Sequence, residues 1–97
     1  MLESVKMALR ISNNAYDTEI QDLINIAKAD MALVGITEAS IVDEDMLIKR
    51  AIITFAKANF GLNNPDSEKL QMSYEMIRNH LSMSINYLPP VVVIPIV

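Results

Sequence analysis

The amino-acid sequence predicts an all-α fold, a small four-helix bundle with an extended C-terminal tail. Four segments carry apolar residues three and four positions apart, which is the spacing of one buried helix face. Short turn-forming stretches separate these segments, whereas the last ten residues contain three prolines and no charged side chain. A chain of 97 residues with 52% hydrophobic side chains can bury one modest core. We therefore predict a helical domain over residues 1–87 and an extended apolar segment over residues 88–97.

The first two helices are predicted from their apolar spacing and from the residues at their ends. Helix one is expected over Leu2–Arg10, because turn residues follow at positions 12–14. Helix two is expected over Thr18–Val34, with Asp17 or Thr18 as its N-cap and Gly35 just beyond its end. The core-facing residues expected from these two helices are Leu2, Val5, Ala8, Leu9, Ile20, Leu23, Ile24, Ala27, Met31 and Val34.

Helix three is expected over Glu44–Phe60. Asp43 is the predicted N-cap, and Val42 and Leu47 have the spacing of a hydrophobic staple around it. Gly61 is expected to end the helix. The expected core-facing residues are Ile48, Ala51, Ile52, Phe55 and Phe60.

Helix four is expected over Pro65–Tyr87, with Asn64 as its cap, because proline is favoured at the first helical position. Its expected core stripe consists of Leu70, Tyr74, Ile77, Leu81 and Ile85. The connections between the helices are short, so sequential helices are expected to pack antiparallel or nearly so.

Helix four also carries a second apolar face, which a surface helix of a small monomer should lack. At about 100° per residue, Met72, Met76, Met83 and Tyr87 lie opposite the core stripe. One interpretation is a central helix buried on both sides, and another is isolated exposed apolar residues of no consequence. We favour contact with another subunit, since methionine packs adaptably at protein contacts.

The C-terminal tail cannot be helical, because Pro89, Pro90 and Pro95 fix φ and remove backbone donors. It is β-branched and extended, and the helical part offers it no sheet to join. An apolar extended segment in water aggregates or is covered by something. We therefore expect the tail to lie against a partner, with contacts from Val91, Val92, Val93, Ile94 and Ile96.

Charge and composition argue against several functions. The net charge of -4 disfavours a nucleic-acid-binding protein, including a helix-turn-helix protein. The chain has no cysteine, one histidine (His80) and no Gly-x-Ser-x-Gly motif, so we predict no metal site, no cofactor and no enzyme activity. A Ser-His-Asp triad has no fixed spacing and stays open on sequence alone. The beginning of the chain does not resemble a signal peptide, and the tail is too short and too rich in proline to span a membrane.

Two charged clusters have ordinary explanations. Asp43, Glu44 and Asp45 lack the spacing and the glycine of a calcium loop, and helix capping explains them better. Lys49, Arg50 and Lys57 form a small basic face on helix three. Such a face is usually solvated, and an acidic partner or passing DNA is the alternative.

Five stretches and a few packing residues between them form a pattern from the beginning of the chain to Tyr87. The stretches are Leu2-Glu3-Ser4-Val5-Lys6, Leu9-Arg10-Ile11, Leu47-Ile48-Lys49-Arg50-Ala51-Ile52, Tyr74-Glu75-Met76-Ile77 and His80-Leu81-Ser82-Met83-Ser84. The packing residues are Ile20, Leu23, Ile24 and Ala27. In these residues the sequence resembles the phage head–tail connector family.

The resemblance implies a structural virion protein that is in the host cytoplasm during assembly and is not an enzyme. Such proteins form a homo-oligomeric ring below the portal protein, for which a dodecamer is one candidate size. The ring extends the DNA channel, through which DNA passes as cargo, and provides the surface on which a tail or stopper protein docks. Residues 1–87 would then be the connector domain. A competing interpretation is a small acidic partner-binding adaptor or antitoxin-like inhibitor, which would form a dimer or a one-to-one complex.

Overall fold

The computed structural model describes residues 1–88 and confirms the all-α fold class. Four α-helices follow one another along the chain, and a short 3-10 helix at Glu38–Ser40 lies between the second and the third. The α-helices are α1 (Leu2–Leu9), α2 (Asp17–Leu33), α3 (Met46–Asn59) and α4 (Ser67–Ser82). Within residues 1–88 there is no strand.

The core forms around α3, which packs against each of the other three helices. Its buried side chains sit at the spacing of one wide apolar stripe, which explains its central position. The buried hydrophobic cluster consists of Val5, Ile20, Ile24, Ala27, Met31, Ile36, Ile48, Ala51, Ile52, Phe55, Ala56, Tyr74 and Leu81. Most of the predicted core residues belong to it or pack against it.

The N-termini of α2 and α3 differ from the predicted ones. Asp45 caps α3, since its Oδ1 accepts hydrogen bonds from the amides of Leu47 (2.9 Å) and Ile48 (3.2 Å). The predicted cap, Asp43, instead binds the Met1 ammonium group at 2.9 Å. Neither Asp17 nor Thr18 caps α2, because both lie inside its first turn.

Asp17 forms an ion pair with α1 instead of capping α2. Its Oδ1 lies 2.8 Å from the Nζ of Lys6, a residue of α1 that is only 4% exposed. The Lys6 ammonium also donates to Asn14 Oδ1 at 3.0 Å. A buried lysine needs such partners, so this group ties α1 to the start of α2.

The C-termini of α1 and α2 share one hydrogen-bond pattern. At the end of α2, Gly35 (φ +98°) donates to Ala32 O, and Ile36 donates to Met31 O. This is the Schellman motif, which favours glycine because its residue beyond the helix has a positive φ. At the end of α1, Arg10 occupies the same position with φ +64°.

The fourth helix is shorter at both ends than predicted. Asn64 does not cap α4; its Oδ1 accepts from the Asp66 amide in a turn, and the helix begins at Ser67. At the other end the helix stops at Ser82, and residues 83–88 are not helical. The prediction that Ile85 joins the core stripe is wrong, because its side chain is 81% exposed.

Candidate partner-binding surface

Two methionines of α4 and Met83, which follows its last residue, form an exposed apolar strip, called here the methionine face. Met72, Met76 and Met83 are 63%, 61% and 71% exposed. They lie opposite the buried Tyr74 and Leu81, as the helical spacing predicts. The interpretation of helix four as buried on both sides within one chain is therefore wrong. Contact with another subunit stays a prediction.

Tyr87, the fourth residue predicted for this face, lies elsewhere. It follows the end of α4 and packs, partly buried, against the core. Its hydroxyl donates to Asp45 Oδ2 at 2.8 Å, and its carbonyl accepts from the Thr37 amide at 2.9 Å. The apolar periodicity predicts a helix that continues through Tyr87. These two tertiary hydrogen bonds instead hold Tyr87 in a turn.

The contact between Tyr87 and Asp45 changes the acidity of both groups. The hydrogen bond to Asp45, together with partial burial, raises the pKa of the Tyr87 hydroxyl. Burial works against the charged form of Asp45, but hydrogen bonds from Tyr87 and from the Ile48 and Leu47 amides prevail and lower its pKa. One carboxylate thus caps α3 and holds the chain that follows α4.

A polar contact fixes α4 against α2 beneath the methionine face. The Tyr74 hydroxyl donates to Asp30 Oδ2 at 2.6 Å, and Arg78 Nη1 donates to the same oxygen at 2.9 Å. The Arg78 guanidinium lies 5.8 Å from the centroid of the Tyr74 ring. The ring in turn meets Phe55 of α3 edge-on, with 5.0 Å between centroids. These contacts hold α4 in one rotation about its axis, which keeps the methionines outward.

The contact between Tyr74, Arg78 and Asp30 shifts the pKa values of these groups. Burial raises the pKa of Tyr74, and the hydrogen bond to Asp30 raises it further. Burial opposes ionisation of Asp30, yet the bonds from Tyr74 and Arg78 outweigh it and lower the pKa of that carboxyl group. Neither Asp30 nor Arg78 can be predicted from the sequence as part of a contact, because no local spacing pairs residues 48 positions apart.

The remaining charged residues named from the sequence occupy separate places. Lys49, Arg50 and Lys57 share the outer side of α3 beside grooves toward α1 and α4. Asp43 binds the Met1 ammonium and lies 3.5 Å from Lys28 Nζ, and the hydrogen bond to Met1 is the main cause of its lowered pKa. His80 is exposed in the last turn of α4.

Residues 1–88 lack the features of two other kinds of site. Among residues 1–88, no three His, Cys, Asp or Glu side chains come together in a way that could hold a metal ion. In the same part of the chain, no helix has the length and apolar character needed to cross a bilayer. The predicted tail contacts, Val91, Val92, Val93, Ile94 and Ile96, lie outside the described residues.

Comparison with known protein families gives a match over most of the chain. A family model described as "Phage connector protein" matches residues 1–87. This range covers all four helices and the Tyr87 contact with Asp45. No curated protein and no solved structure matches the chain.

Proposed function

Because the chain belongs to the phage connector protein family, we propose that it is a structural virion component joining head and tail. In this proposal its copies form a ring below the portal protein, and the ring extends the DNA channel. The far side of the ring offers the surface on which a tail or stopper protein docks. The family match over residues 1–87 is the observation that carries the proposal.

The exposed methionine face supports a role in assembly. Three large apolar side chains, each more than 60% exposed, lie on one side of a helix that is otherwise firmly held. Methionine side chains adapt to different packing surroundings, which suits a contact repeated between subunits. In a ring each subunit presents the same pair of surfaces, so a modest contact is multiplied around the circle.

The apolar tail is proposed as the link to a neighbouring protein. Val91–Val97 could add a strand to an exposed sheet edge, or lie in a groove, of the portal or of the next subunit. Backbone hydrogen bonds would supply affinity there, and alternate side chains would supply the register.

The test is the absolute mass of the full-length protein by light scattering, alone and mixed with the portal protein of the same phage or prophage. A large discrete oligomer in either sample supports the ring. A dimer that does not bind the portal protein supports the small-adaptor interpretation and overturns the proposal. A monomer that does not bind the portal overturns it as well.

A truncation separates the tail from the helical domain in the same assay. Deleting Pro90–Val97 should leave the circular dichroism of the helices unchanged and abolish assembly. The matched control replaces Val91–Val97 with serine and glycine at equal length, and it should fail to assemble in the same way. Loss of helical content on deletion would count against an independent role for the tail.

A further inference from the structure

A basic, grooved face lies on the side of α3 away from α2. Lys49, Ile53 and Lys57 follow one another at intervals of four residues and form a ridge between two grooves. The groove toward α4, about 410 Å³ in volume, adds Arg50 on its rim and Leu70 in its wall. The groove toward α1 adds Arg10 and the exposed Met7. We call the surface formed by Arg10, Lys49, Arg50, Ile53 and Lys57 the basic grooved face.

The cations of the basic grooved face have no internal partner. Among residues 1–88, Lys6, Lys28 and Arg78 form ion pairs, whereas Arg10, Lys49, Arg50 and Lys57 form none. No carboxylate of the described residues lines either groove. In a chain with a net charge of -4, half of the eight basic residues thus gather on one surface without neutralisation. Such a surface attracts an acidic partner.

The methionine face has the complementary composition. Glu68 and Glu75 lie along its edge, and both carboxylates are free of ion pairs within residues 1–88. At about 100° per residue, these glutamates lie on the same side of α4 as Met72 and Met76, with Lys69 at the far edge and Met83 just beyond the helix end. The strip is therefore apolar along its middle and predominantly acidic on one flank, which matches a groove with apolar walls and basic rims.

The two surfaces lie on different sides of the same subunit. At about 100° per residue, Ser73 and Glu75 lie on opposite flanks of α4 relative to the buried Tyr74. Ser73 lines the groove between α3 and α4, and Glu75 lies on the other side. The methionines point away from Tyr74. One subunit can therefore use both surfaces at once, each toward a different neighbour, which is the arrangement of a head-to-tail contact.

We propose that the basic grooved face of one copy receives the methionine face of the next copy, with Glu68 and Glu75 against Arg50 and Lys57. This inference rests on the proposed ring and names the two surfaces that build it. The apolar walls formed by Ile53 and Leu70 favour a protein occupant over DNA, because phosphate contacts need cations but no apolar floor. The contact is heterologous, so it closes into a ring or continues as a filament.

The experiment exchanges charge between the two surfaces in the full-length protein. One variant carries Arg50→Glu and Lys57→Glu, and the other carries Glu68→Lys and Glu75→Lys. All four side chains lie at the surface or its edge, and circular dichroism checks that both variants fold. Self-association is measured by sedimentation across concentration for each variant, for their equimolar mixture and for the wild type. A control with Glu19→Lys and Asp22→Lys makes the same change in net charge as the Glu68 and Glu75 variant, but on the solvent side of α2.

The inference predicts a specific pattern of results. Wild type and control should self-associate, and each surface variant alone should associate at least about tenfold more weakly, because like charges then face each other. The mixture should recover association, since each variant then meets an opposite charge on its neighbour. Raising the salt from about 0.1 M to about 1 M, which shortens the Debye length from about 10 Å to about 3 Å, should weaken association of the wild type.

Other outcomes overturn the inference. The inference is wrong if the surface variants associate like the wild type, or if their mixture does not recover association. It is also wrong if the wild type stays monomeric at every concentration. A further contradicting outcome is that the Arg50 and Lys57 variant loses binding to duplex DNA while its self-association is unchanged. The basic grooved face would then be a phosphate-binding surface. None of these outcomes decides the connector function itself, because that is judged separately by binding to the portal protein.

Discussion

Arg10 adopts at the end of α1 the backbone conformation that Gly35 adopts at the end of α2. Both residues donate to the carbonyl three positions earlier, and the residue after each donates to the carbonyl five positions earlier. Glycine reaches a positive φ freely, whereas a side chain with a Cβ meets steric resistance there. Arg10 (φ +64°) is therefore held by its surroundings, which include Ile11 packed against the core.

Replacing Arg10 with glycine should stabilise the protein. The expected gain in the free energy of unfolding is about 0.5–1 kcal/mol, because the strain of the left-handed conformation is relieved. Urea denaturation followed by circular dichroism measures it. Arg10→Ala is the matched control, since it removes the same charge but keeps a Cβ, and it should give no gain. Equal stabilities of the two variants would contradict this account.

The Tyr74 hydroxyl should contribute measurably to stability through Asp30. Tyr74→Phe keeps the ring against Phe55 and removes one of two hydrogen bonds to a partly buried carboxylate oxygen. The expected loss is about 1–2 kcal/mol of unfolding free energy. Tyr16→Phe serves as the control, because the Tyr16 hydroxyl makes no hydrogen bond within residues 1–88 while its ring packs edge-on against Phe60. That variant should stay within about 0.5 kcal/mol of the wild type.

At the scale of helices, α4 shows what sequence can and cannot predict. Its apolar spacing predicts a helix with Tyr74 and Leu81 inward and Met72 and Met76 outward, and both statements are confirmed. Spacing does not predict where the helix ends, because Tyr87 is held by Asp45 and Thr37, which are far away in sequence. The same limit applies to Asp45, since three successive acidic residues precede α3 and any of them could have been its cap.

The end of α4 can be tested by two alanine substitutions. Leu81 is 4% exposed and Ile85, one predicted helical turn later, is 81% exposed. Leu81→Ala should cost about 2–4 kcal/mol of unfolding free energy through the cavity that it leaves. Ile85→Ala should change it by no more than about 0.5 kcal/mol. Similar losses in both variants, measured by urea denaturation, would mean that the helix continues through residue 85.

At the scale of the molecule, three aspartates connect separate parts of the fold. Asp30 joins α2 to α4, Asp45 joins α3 to Tyr87, and Asp43 joins Met1 to Lys28 of α2. The pKa of each carboxyl group lies below the ordinary value of 3.8. None of these pairings was predicted from the sequence, because each depends on how the finished bundle brings distant residues together.

The three aspartates should make the fold sensitive to acid. A carboxyl group with a lowered pKa in the folded state contributes stability above its unfolded pKa, and this contribution is lost as the pH falls through the folded pKa. The free energy of unfolding should therefore decline as the pH falls below about 5. Chemical denaturation at a series of pH values measures the decline, which Asp30→Asn should reduce. Glu44→Gln, at an exposed carboxylate outside the ion pairs of residues 1–88, should leave it unchanged.

The position of Tyr87 also determines how the protein would bear mechanical load. A pull on the chain beyond Leu88 reaches the Tyr87 bonds to Thr37 and Asp45 before it reaches the last turn of α4. In the proposed assembly, tension from a neighbour bound to the tail would therefore reach the N-terminus of α3, the helix that contacts all the others, before it reaches α4. Load applied beyond Leu88 would then be borne by hydrogen bonds to two other parts of the bundle, and the ends of the helices would not have to carry it alone.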